Sequence, residues 1–254
     1  MPEVFFAHAN GIPAKTYQAL FKHLEVEQVN YIEHLGADLR QPLKGWQPLV
    51  TNIIQKLEAS QTQPVIGIGH SLGGYLLLWA YQKRPELFSQ LVFLDPPIFR
   101  PTKRLVLGTV RTMGLAGRLI PPANKARMRK DTFDSIDEAY AYWRPKALFQ
   151  SFDSESFDLY VKHALVANGS QYSLAIPKIV EYQIFKNTPS KVGKKNIAIP
   201  SHFIYGKSSD VLARKDVLWL QKKFTDTQFV PFSGGHMFPL DQPKQTAQLI
   251  NQLI

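Results

Sequence analysis

PVIGIGHSLGG, residues 64–74, joins a short apolar run to a serine that stands between two glycines. The run before the serine is partly β-branched and is typical of a fully buried strand. The apolar residues 74–81 behind it predict a helix in the core. The glycines at 69 and 73 permit a sharp strand-to-helix turn that lifts the Ser71 hydroxyl clear of the sheet. The stretch therefore predicts a nucleophilic serine beside a helix N-terminus, which favours negative charge.

A phosphate-binding loop is the alternative for the same glycines, because a glycine-rich turn that opens a helix can also hold phosphates. Leu72 stands where the dinucleotide-binding pattern needs its third glycine, and the Gly-Lys-Ser/Thr of a P-loop is missing. The nucleophile interpretation is therefore preferred.

The composition bounds the class of protein. A chain of 254 residues, 44% of them hydrophobic, fits one α/β domain with an insertion. The absence of cysteine excludes a thiol nucleophile, disulfides and thiolate metal sites. We see no His-Glu-x-x-His or similar spacing and expect neither a metal nor a cofactor. Residues 1–6 lack a basic leader region, and no apolar run is long enough to cross a bilayer, so we expect a soluble cytoplasmic protein.

The net charge of +10 is unevenly distributed. Residues 99–195 contain 17 basic and 8 acidic residues, and the rest of the chain is nearly neutral. Between Asp95 and Asp131 there are nine basic residues and no acidic one. This segregation predicts a separate structural unit in the middle of the chain.

Strands and helices alternate on both sides of this basic segment, which predicts a mostly parallel sheet flanked by helices. Strand-like stretches lie near residues 4–7, 29–32, 64–68, 91–94, 197–199, 202–205 and 229–230, and six parallel strands is our best count. Helical stretches replace the alternation near residues 103–120, 136–149 and 157–167. We therefore predict a core formed by residues 1–98 and 196–254, with residues 99–195 inserted as a helical cap.

A serine nucleophile needs a histidine base and a carboxylate that orients it. His236 lies in a glycine-containing loop after the last strand, and Asp210 follows the strand near 202–205, at the sheet edge where open α/β proteins place their sites. We expect Asp210 to be the acid. Asp95, which ends the strand near 91–94, is the alternative acid. His8 and His70 adjoin the site, and we expect structural roles for both.

The order Ser71, Asp210, His236, with Gly-x-Ser-x-Gly in a strand-to-helix turn, resembles the α/β-hydrolase superfamily over nearly the whole chain. The loop of residues 8–11, His-Ala-Asn-Gly, resembles the family's His-Gly loop, although alanine replaces the usual glycine. The resemblance implies an oxyanion hole formed by the backbone N–H groups of Leu72 and Asn10. It also implies that the family's first two strands are lacking, since the chain begins on what would be the third.

The resemblance implies a serine hydrolase that works through an acyl-enzyme, and we expect a carboxylesterase acting on small or medium apolar acyl esters. Thioesterase, lactonase, C–C bond hydrolase, haloperoxidase and acyltransferase activities use the same triad and stay open. Outside enzymes, a catalytically silent binding module of the same fold is the alternative. We expect the substrate to be an ester-like small molecule, either neutral or anionic.

Arg104, Arg111 and Arg118 recur at intervals of seven and predict a basic stripe on the first cap helix. We expect this stripe to be a solvated face. Attraction of an anionic substrate or of a membrane surface is the alternative, but the glycines at 108, 114 and 117 weaken a membrane-binding helix. Nucleic-acid binding is not expected, because no recognition motif accompanies the charge.

Overall fold

A computed structural model of the chain describes residues 3–37, 42–60, 63–193 and 196–254. Nine strands occur in this part of the chain: β1 (Glu3–Ala7), β2 (Gln28–Tyr31), β3 (Val65–His70), β4 (Phe88–Leu94), β5 (Thr132–Phe133), β6 (Leu165–Asn168), β7 (Gln171–Leu174), β8 (Ser201–Gly206) and β9 (Gln228–Phe232). Six of them form one parallel sheet in the order β2-β1-β3-β4-β8-β9. The predicted parallel sheet of six strands is confirmed for the described residues, whereas the strand-like stretch at residues 197–199 forms no strand.

The helices in the same part of the chain fall into two groups. Those that precede β4 or follow β8 in the chain are α1 (Gln18–Phe21), α2 (Gln47–Ser60), α3 (Leu72–Lys83), α11 (Arg214–Lys223), α12 (Phe238–Asp241) and α13 (Pro243–Asn251). Between β4 and β8 lie α4 (Pro101–Thr112), α5 (Ala116–Leu119), α6 (Pro121–Arg127), α7 (Ile136–Trp143), α8 (Ala147–Gln150), α9 (Ser154–Ala164) and α10 (Lys178–Lys186). Short 3-10 helices occupy Ala14–Tyr17 and Pro85–Leu87.

The two faces of the parallel sheet bury separate apolar clusters, because successive side chains of a strand point to opposite sides. Phe5 belongs to the cluster that contains residues of α2, α3 and α11. Its neighbour Phe6 belongs to the cluster that contains residues of α1, α9 and α13. Both phenylalanines are fully buried. The sheet is therefore covered on both faces, as parallel sheets usually are.

The register of the central strands determines which residues meet at the carboxyl edge of the sheet. His70, the last residue of β3, pairs with Leu94, the last residue of β4. Leu94 also pairs with Ile204 of β8. The residues that follow β3 and β4, Ser71 and Asp95, consequently leave the sheet side by side.

Helix α3 approaches the sheet so closely that two positions require glycine. A Cβ atom on Gly73 would lie 1.9 Å from the carbonyl oxygen of Ala7. A Cβ atom on Gly69 would lie 2.5 Å from the backbone nitrogen of Gly74. Both distances are far below van der Waals contact, so the glycines of the opening motif allow the helix to start directly on the sheet.

We predicted a purely helical segment between β4 and β8, but the structure also has strands there. The expected helix 157–167 ends at Ala164, and β6 and β7 form a hairpin that joins β5 in an antiparallel sheet. Gly169 has a φ of 63° at the first position of the two-residue hairpin loop, and Gly169-Ser170 is the turn signal that marks it. The expected helix 103–120 is interrupted at Gly114, whose φ is 73°. The division into core and cap stays a prediction, and its boundary residue Lys195 lies outside the described residues.

The predicted basic stripe is not one solvated face, because Arg104 and Arg111 of α4 contact the protein and Arg118 lies in α5. Arg104 donates to the carbonyl oxygen of Ser190 at 3.1 Å, and its guanidinium lies over the Trp219 ring. Arg111 Nη2 lies 3.5 Å from the Ser190 hydroxyl. Of the three arginines, only Arg118 is exposed.

No helix among the described residues is both long and apolar enough to span a membrane.

Candidate active site

Ser71 occupies a strained backbone conformation at the turn between β3 and α3. Its φ of 52° and ψ of −116° match the first central position of a type II′ turn, which glycine normally occupies. Its N–H donates to the carbonyl oxygen of Leu94 at 2.9 Å. Asp95, with a φ of 47°, is the other non-glycine residue of the described chain with a positive φ. Backbone strain of this kind concentrates at functional sites.

His236 lies in the loop between β9 and α12 and connects these two strained residues. Its Nε2 lies 3.0 Å from Ser71 Oγ, and its Nδ1 lies 2.7 Å from Asp95 Oδ2. The ionised carboxylate can only accept, so the imidazole carries its proton on Nδ1. Nε2 is then free to accept the proton of the serine hydroxyl. Three side chains from separate parts of the chain thus form a continuous relay.

The carboxylate of Asp95 is fully buried and is surrounded by donors. Oδ1 accepts from the N–H of Gly206 at 3.0 Å, and Oδ2 accepts from the Ser209 hydroxyl at 2.6 Å. Ser209 Oγ itself accepts from two backbone N–H groups, those of residues 211 and 212, so its hydrogen is available to Asp95. Together with His236, these donors hold the carboxylate in one orientation.

Asp210, the acid that we had expected, does not lie against His236. It is exposed, and within the described residues its carboxylate has no hydrogen bond or ion pair. The turn after β8 directs Ser209 toward the site, whereas the next residue faces solvent. The structure instead places the alternative acid, Asp95, on the imidazole. The prediction that Asp210 orients the base is therefore wrong for this geometry.

His70 takes no part in the relay, but it connects the loops around it. His70 is fully buried, and burial holds its pKa well below the usual value, so its ring is neutral. Its Nε2–H donates to the carbonyl oxygen of His236 at 3.0 Å. Nδ1 must then be the acceptor, and it receives the Tyr17 hydroxyl at 2.7 Å.

Tyr17 extends this connection to the loop of residues 8–11. Its oxygen accepts from the N–H of Ala9 at 3.3 Å while its hydrogen goes to His70. Tyr17 is fully buried, and burial raises the pKa of its phenol. One chain of hydrogen bonds therefore runs from the first loop through the serine turn to the backbone of His236. We had not singled out Tyr17 from the sequence, which contains no motif around it.

His8 is also buried and neutral. Its Nδ1–H donates to the carbonyl oxygen of Ala9 at 2.7 Å, and its Nε2 accepts from the N–H of Leu35 at 2.8 Å. Burial lowers the pKa of His8 from 6.5 to about 4. The two histidines that adjoin the relay thus hold backbone groups in place.

The backbone N–H groups of Leu72 and Asn10, the expected oxyanion donors, donate to no other group in the described residues. Leu72 is the first residue of α3, where helix N–H groups lack intrahelical partners. The side chain of Asn10 donates to the carbonyl oxygen of Glu181 at 3.0 Å. The Glu181 carboxylate covers Gly11, whose φ is 73°, and accepts from Arg129 at 2.6 Å. Helix α10 is therefore attached to the first loop.

No group of three or more histidine and carboxylate side chains is placed to hold a metal ion in the part of the chain that the structure describes. The supporting residues Ser209, Tyr17 and Glu181 were missed in the sequence because each acts through a contact distant in the chain. The only available signal was the position of Ser209, directly beside the expected acid.

Comparison with protein families matches residues 6–249 to the alpha/beta hydrolase family. The chain belongs to this family, and the resemblance stated from its motifs is confirmed.

Two curated relatives and one solved structure show how far this similarity extends. The abhydrolase domain-containing protein ACTT2 of Alternaria alternata is 23% identical over 229 residues, which cover 74% of this chain and 82% of the relative. The type I acyl-CoA thioesterase mpaH of Penicillium brevicompactum is 30% identical over 174 residues, which cover 61% of this chain and 38% of the relative. The crystal structure of E-2-(acetamidomethylene)succinate hydrolase superposes with a TM-score of 0.78 at 16% identity, covering 99% of this chain and 91% of that one.

Proposed function

We propose that the protein is a serine hydrolase that cleaves carboxylic ester bonds through an acyl-enzyme, with small or medium apolar acyl esters as substrates. The observation that carries the proposal is the relay from Ser71 Oγ through His236 to Asp95, with distances of 3.0 and 2.7 Å. These distances are within hydrogen-bond reach, which is the geometry that activates a serine. The location that we propose is the cytoplasm, which a chain without cysteine permits.

In the first step, Ser71 Oγ attacks the ester carbonyl carbon while His236 Nε2 takes the hydroxyl proton. The imidazolium that forms is stabilised by Asp95, which holds Nδ1–H and keeps Nε2 directed at the serine. The proton stays on the histidine, because the carboxylate already accepts from Gly206 and Ser209.

The negative charge on the carbonyl oxygen needs donors that are already in position. The free N–H groups of Leu72 and Asn10 supply them in this proposal, and the N-terminus of α3 adds its favourable dipole. The Asn10 side chain donates to the carbonyl oxygen of Glu181, and the neighbouring Ala9 N–H donates to the Tyr17 hydroxyl. Two contacts therefore fix the loop that offers the Asn10 N–H. Donors of this kind each contribute about 3 kcal/mol to transition-state stabilisation.

Collapse of the tetrahedral intermediate breaks the bond to the alkoxy group, which leaves as an alcohol with the proton from His236 Nε2. Water then attacks the acyl carbon of the acyl-enzyme. His236 takes a proton from the water and returns it to Ser71 Oγ as the acid departs. The cycle consumes one ester and one water, and it restores the enzyme.

Thioester cleavage is the second candidate, because a 30% identical relative is an acyl-CoA thioesterase. The same attack and the same oxyanion donors would act on a thioester, with a thiol as the leaving group. The two candidates differ only in the leaving group, so a substrate comparison separates them.

The test combines covalent labelling with a substrate panel. A fluorophosphonate probe should label the wild-type protein at Ser71 and should label neither Ser71→Ala nor His236→Gln. Hydrolysis of p-nitrophenyl esters should fall by roughly 10⁴-fold or more in Ser71→Ala. An unlabelled wild-type protein would favour a silent binding module, and full activity in Ser71→Ala would overturn the proposal.

The panel should compare p-nitrophenyl esters with acyl-CoA thioesters of the same acyl groups. A higher kcat/KM for the esters supports the first candidate, whereas a higher value for the thioesters assigns the second. Ser71→Gly serves as the folding control. It removes the hydroxyl but relieves the positive φ, so it should be more stable than Ser71→Ala by about 1 kcal/mol.

A further inference from the structure

Helix α4 presents an apolar face to solvent. Leu105, Val106 and Met113 are 72%, 62% and 64% exposed, and no residue of the helix is buried. Leu105, Thr109 and Met113 follow one another at intervals of four, so they lie along one side of the helix. Its exposed positions from 101 to 113 carry no charged residue.

The charged residues of α4 are directed toward the protein, on the side where Leu107 packs against the core, whereas an ordinary surface helix directs its charges to solvent. Lys103 donates to the carbonyl oxygen of Val211 at 3.1 Å and lies over the Phe99 ring. Arg104 and Arg111 are occupied at Ser190. The cations that would keep this helix face in water are thus used to attach the helix to the protein.

Exposed apolar side chains recur in α5 and directly after α6, where exposed cations accompany them. Leu119 and Met128 are 58% and 71% exposed. Arg118, Lys125 and Arg127 are exposed in the same segment, and none of them has an acidic partner among the described residues. We call the exposed apolar and basic residues of this stretch the cap surface: Leu105, Val106, Met113, Arg118, Leu119, Lys125, Arg127 and Met128.

We propose that the cap surface binds an anionic lipid bilayer. Large exposed apolar side chains on a surface indicate an interaction site. Protruding apolar side chains enter the acyl region of a bilayer without needing a matching pocket, and lysine and arginine beside them contact lipid phosphates. The sequence between Asp95 and Asp131 contains no carboxylate that would oppose this contact.

The exposed cations and apolar side chains of the cap surface argue against two other binding partners, a second copy of the chain and an acidic protein. A second copy of the chain docked through the same surface would bring two uncompensated basic patches together, which is destabilising. An acidic protein would compensate the cations, but it would also need separate pockets for the apolar side chains. The proposal is independent of the proposed hydrolase activity, because no cap-surface residue belongs to the relay or to the oxyanion donors.

The test is flotation of the full chain with vesicles of phosphatidylcholine alone and with vesicles that also contain phosphatidylserine. We expect binding to the anionic vesicles only, weakening as salt is raised. Replacing Arg118, Lys125 and Arg127 by glutamine should weaken it on the order of a hundredfold, since each cation near the surface contributes about 1 kcal/mol. Replacing Leu105, Val106 and Met113 by serine should weaken it by at least roughly tenfold.

Matched variants make the result specific. Glutamine at Lys56, Lys83 and Lys244, three exposed lysines of the core helices, removes the same charge and should leave flotation within about twofold. Leu148→Ser removes an exposed leucine outside the cap surface and should have no effect. Ser71→Ala should float like the wild type, which separates this test from the proposed catalysis. All surface variants should retain the wild-type circular dichroism spectrum and thermal midpoint as evidence of folding.

Three results would overturn the proposal. One is the absence of flotation with anionic vesicles at low salt. A second is equal weakening by the cap-surface and core lysine variants. The third is evidence for another binding partner. Such evidence would be retention on immobilised polyglutamate without flotation, or a dimer in solution that is abolished by serine at Leu105, Val106 and Met113.

Discussion

Helices α3 and α4 both have 12 residues, but they have opposite relations to the core. In α3 nine residues are buried, and the helix touches the sheet with glycines. In α4 no residue is fully buried, and Arg104 and Arg111 attach it together with the partly buried Leu107. The difference indicates a division of work, in which the rigid start of α3 holds the serine and the exposed face of α4 is available for contacts outside the protein.

The first prediction breaks the close contact of α3. Gly73→Ala should destabilise the protein by roughly 4 kcal/mol or more, because the new methyl group would lie 1.9 Å from a backbone oxygen that cannot move without disturbing the sheet. Urea denaturation and soluble yield measure the effect. Gly45→Ala is the matched control, since a Cβ there meets nothing within 4 Å. Equal stability of the two variants would contradict the packing of α3.

The second prediction concerns the buried, neutral His8 beside the same sheet edge. Its folded pKa of about 4 lies below the unfolded value of 6.5, so the unfolded chain binds more protons between these pH values. The stability due to His8 is complete above pH 6.5 and should fall by about 3 kcal/mol as the pH drops to 4. Unfolding free energies of wild type and His8→Gln across this range measure it. A difference between the two proteins that does not change with pH would refute the prediction.

A third prediction addresses the hydrogen bonds that join the loops. Tyr17→Phe leaves the Ala9 N–H and His70 Nδ1 without partners, which should cost about 1–3 kcal/mol of stability. It should also lower kcat by roughly tenfold with little change in KM, because the loops around the relay lose their connection. Tyr75→Phe is the control, since it removes from α3 a buried hydroxyl that donates to the carbonyl oxygen of Lys191. It should lose stability without losing kcat, and equal kcat in both variants would contradict a positioning role for Tyr17.

The smallest effects should come from two neighbours on α4. Arg104→Gln removes the bond to Ser190 and the contact with Trp219, and it should destabilise the protein by about 1 kcal/mol. Leu105→Gln, on the outward face, should change stability by less than about 0.5 kcal/mol. Thermal denaturation of both variants measures the comparison. The reverse ranking would mean that the leucine, not the arginine, faces the protein.

The parallel sheet could be predicted because its signals are local. Each strand was marked by a short apolar run, and the glycines around Ser71 marked the one turn that the fold requires. The hairpin at Gly169 was also marked locally, by Gly169-Ser170, but its first strand overlaps the stretch 157–167, which predicts a helix. Local signals thus located the nucleophile and the base loop before any contact was known.

The acid could not be chosen in the same way. β4 and β8 are neighbours, with Leu94 paired to Ile204, so the residues after both strands reach the same edge of the sheet. Which carboxylate meets His236 depends on the turn after β8, where Ser209 rather than Asp210 faces inward. The backbone direction at this turn decides which of two adjacent side chains faces the site, and the sequence does not show that direction. The inward direction of the α4 arginines could not be predicted for a similar reason, because their partners Ser190 and Trp219 lie far along the chain.

The most direct test of the account compares Asp95→Asn with Asp210→Asn in ester hydrolysis. Asparagine at 95 would turn an amide N–H toward groups that themselves donate, and it would no longer hold His236 in the required tautomer. We expect kcat to fall by about 10³–10⁴-fold in Asp95→Asn, with the folded state verified by circular dichroism, and to stay within about twofold in Asp210→Asn. Loss of activity in Asp210→Asn with retention in a folded Asp95→Asn would contradict the relay described here.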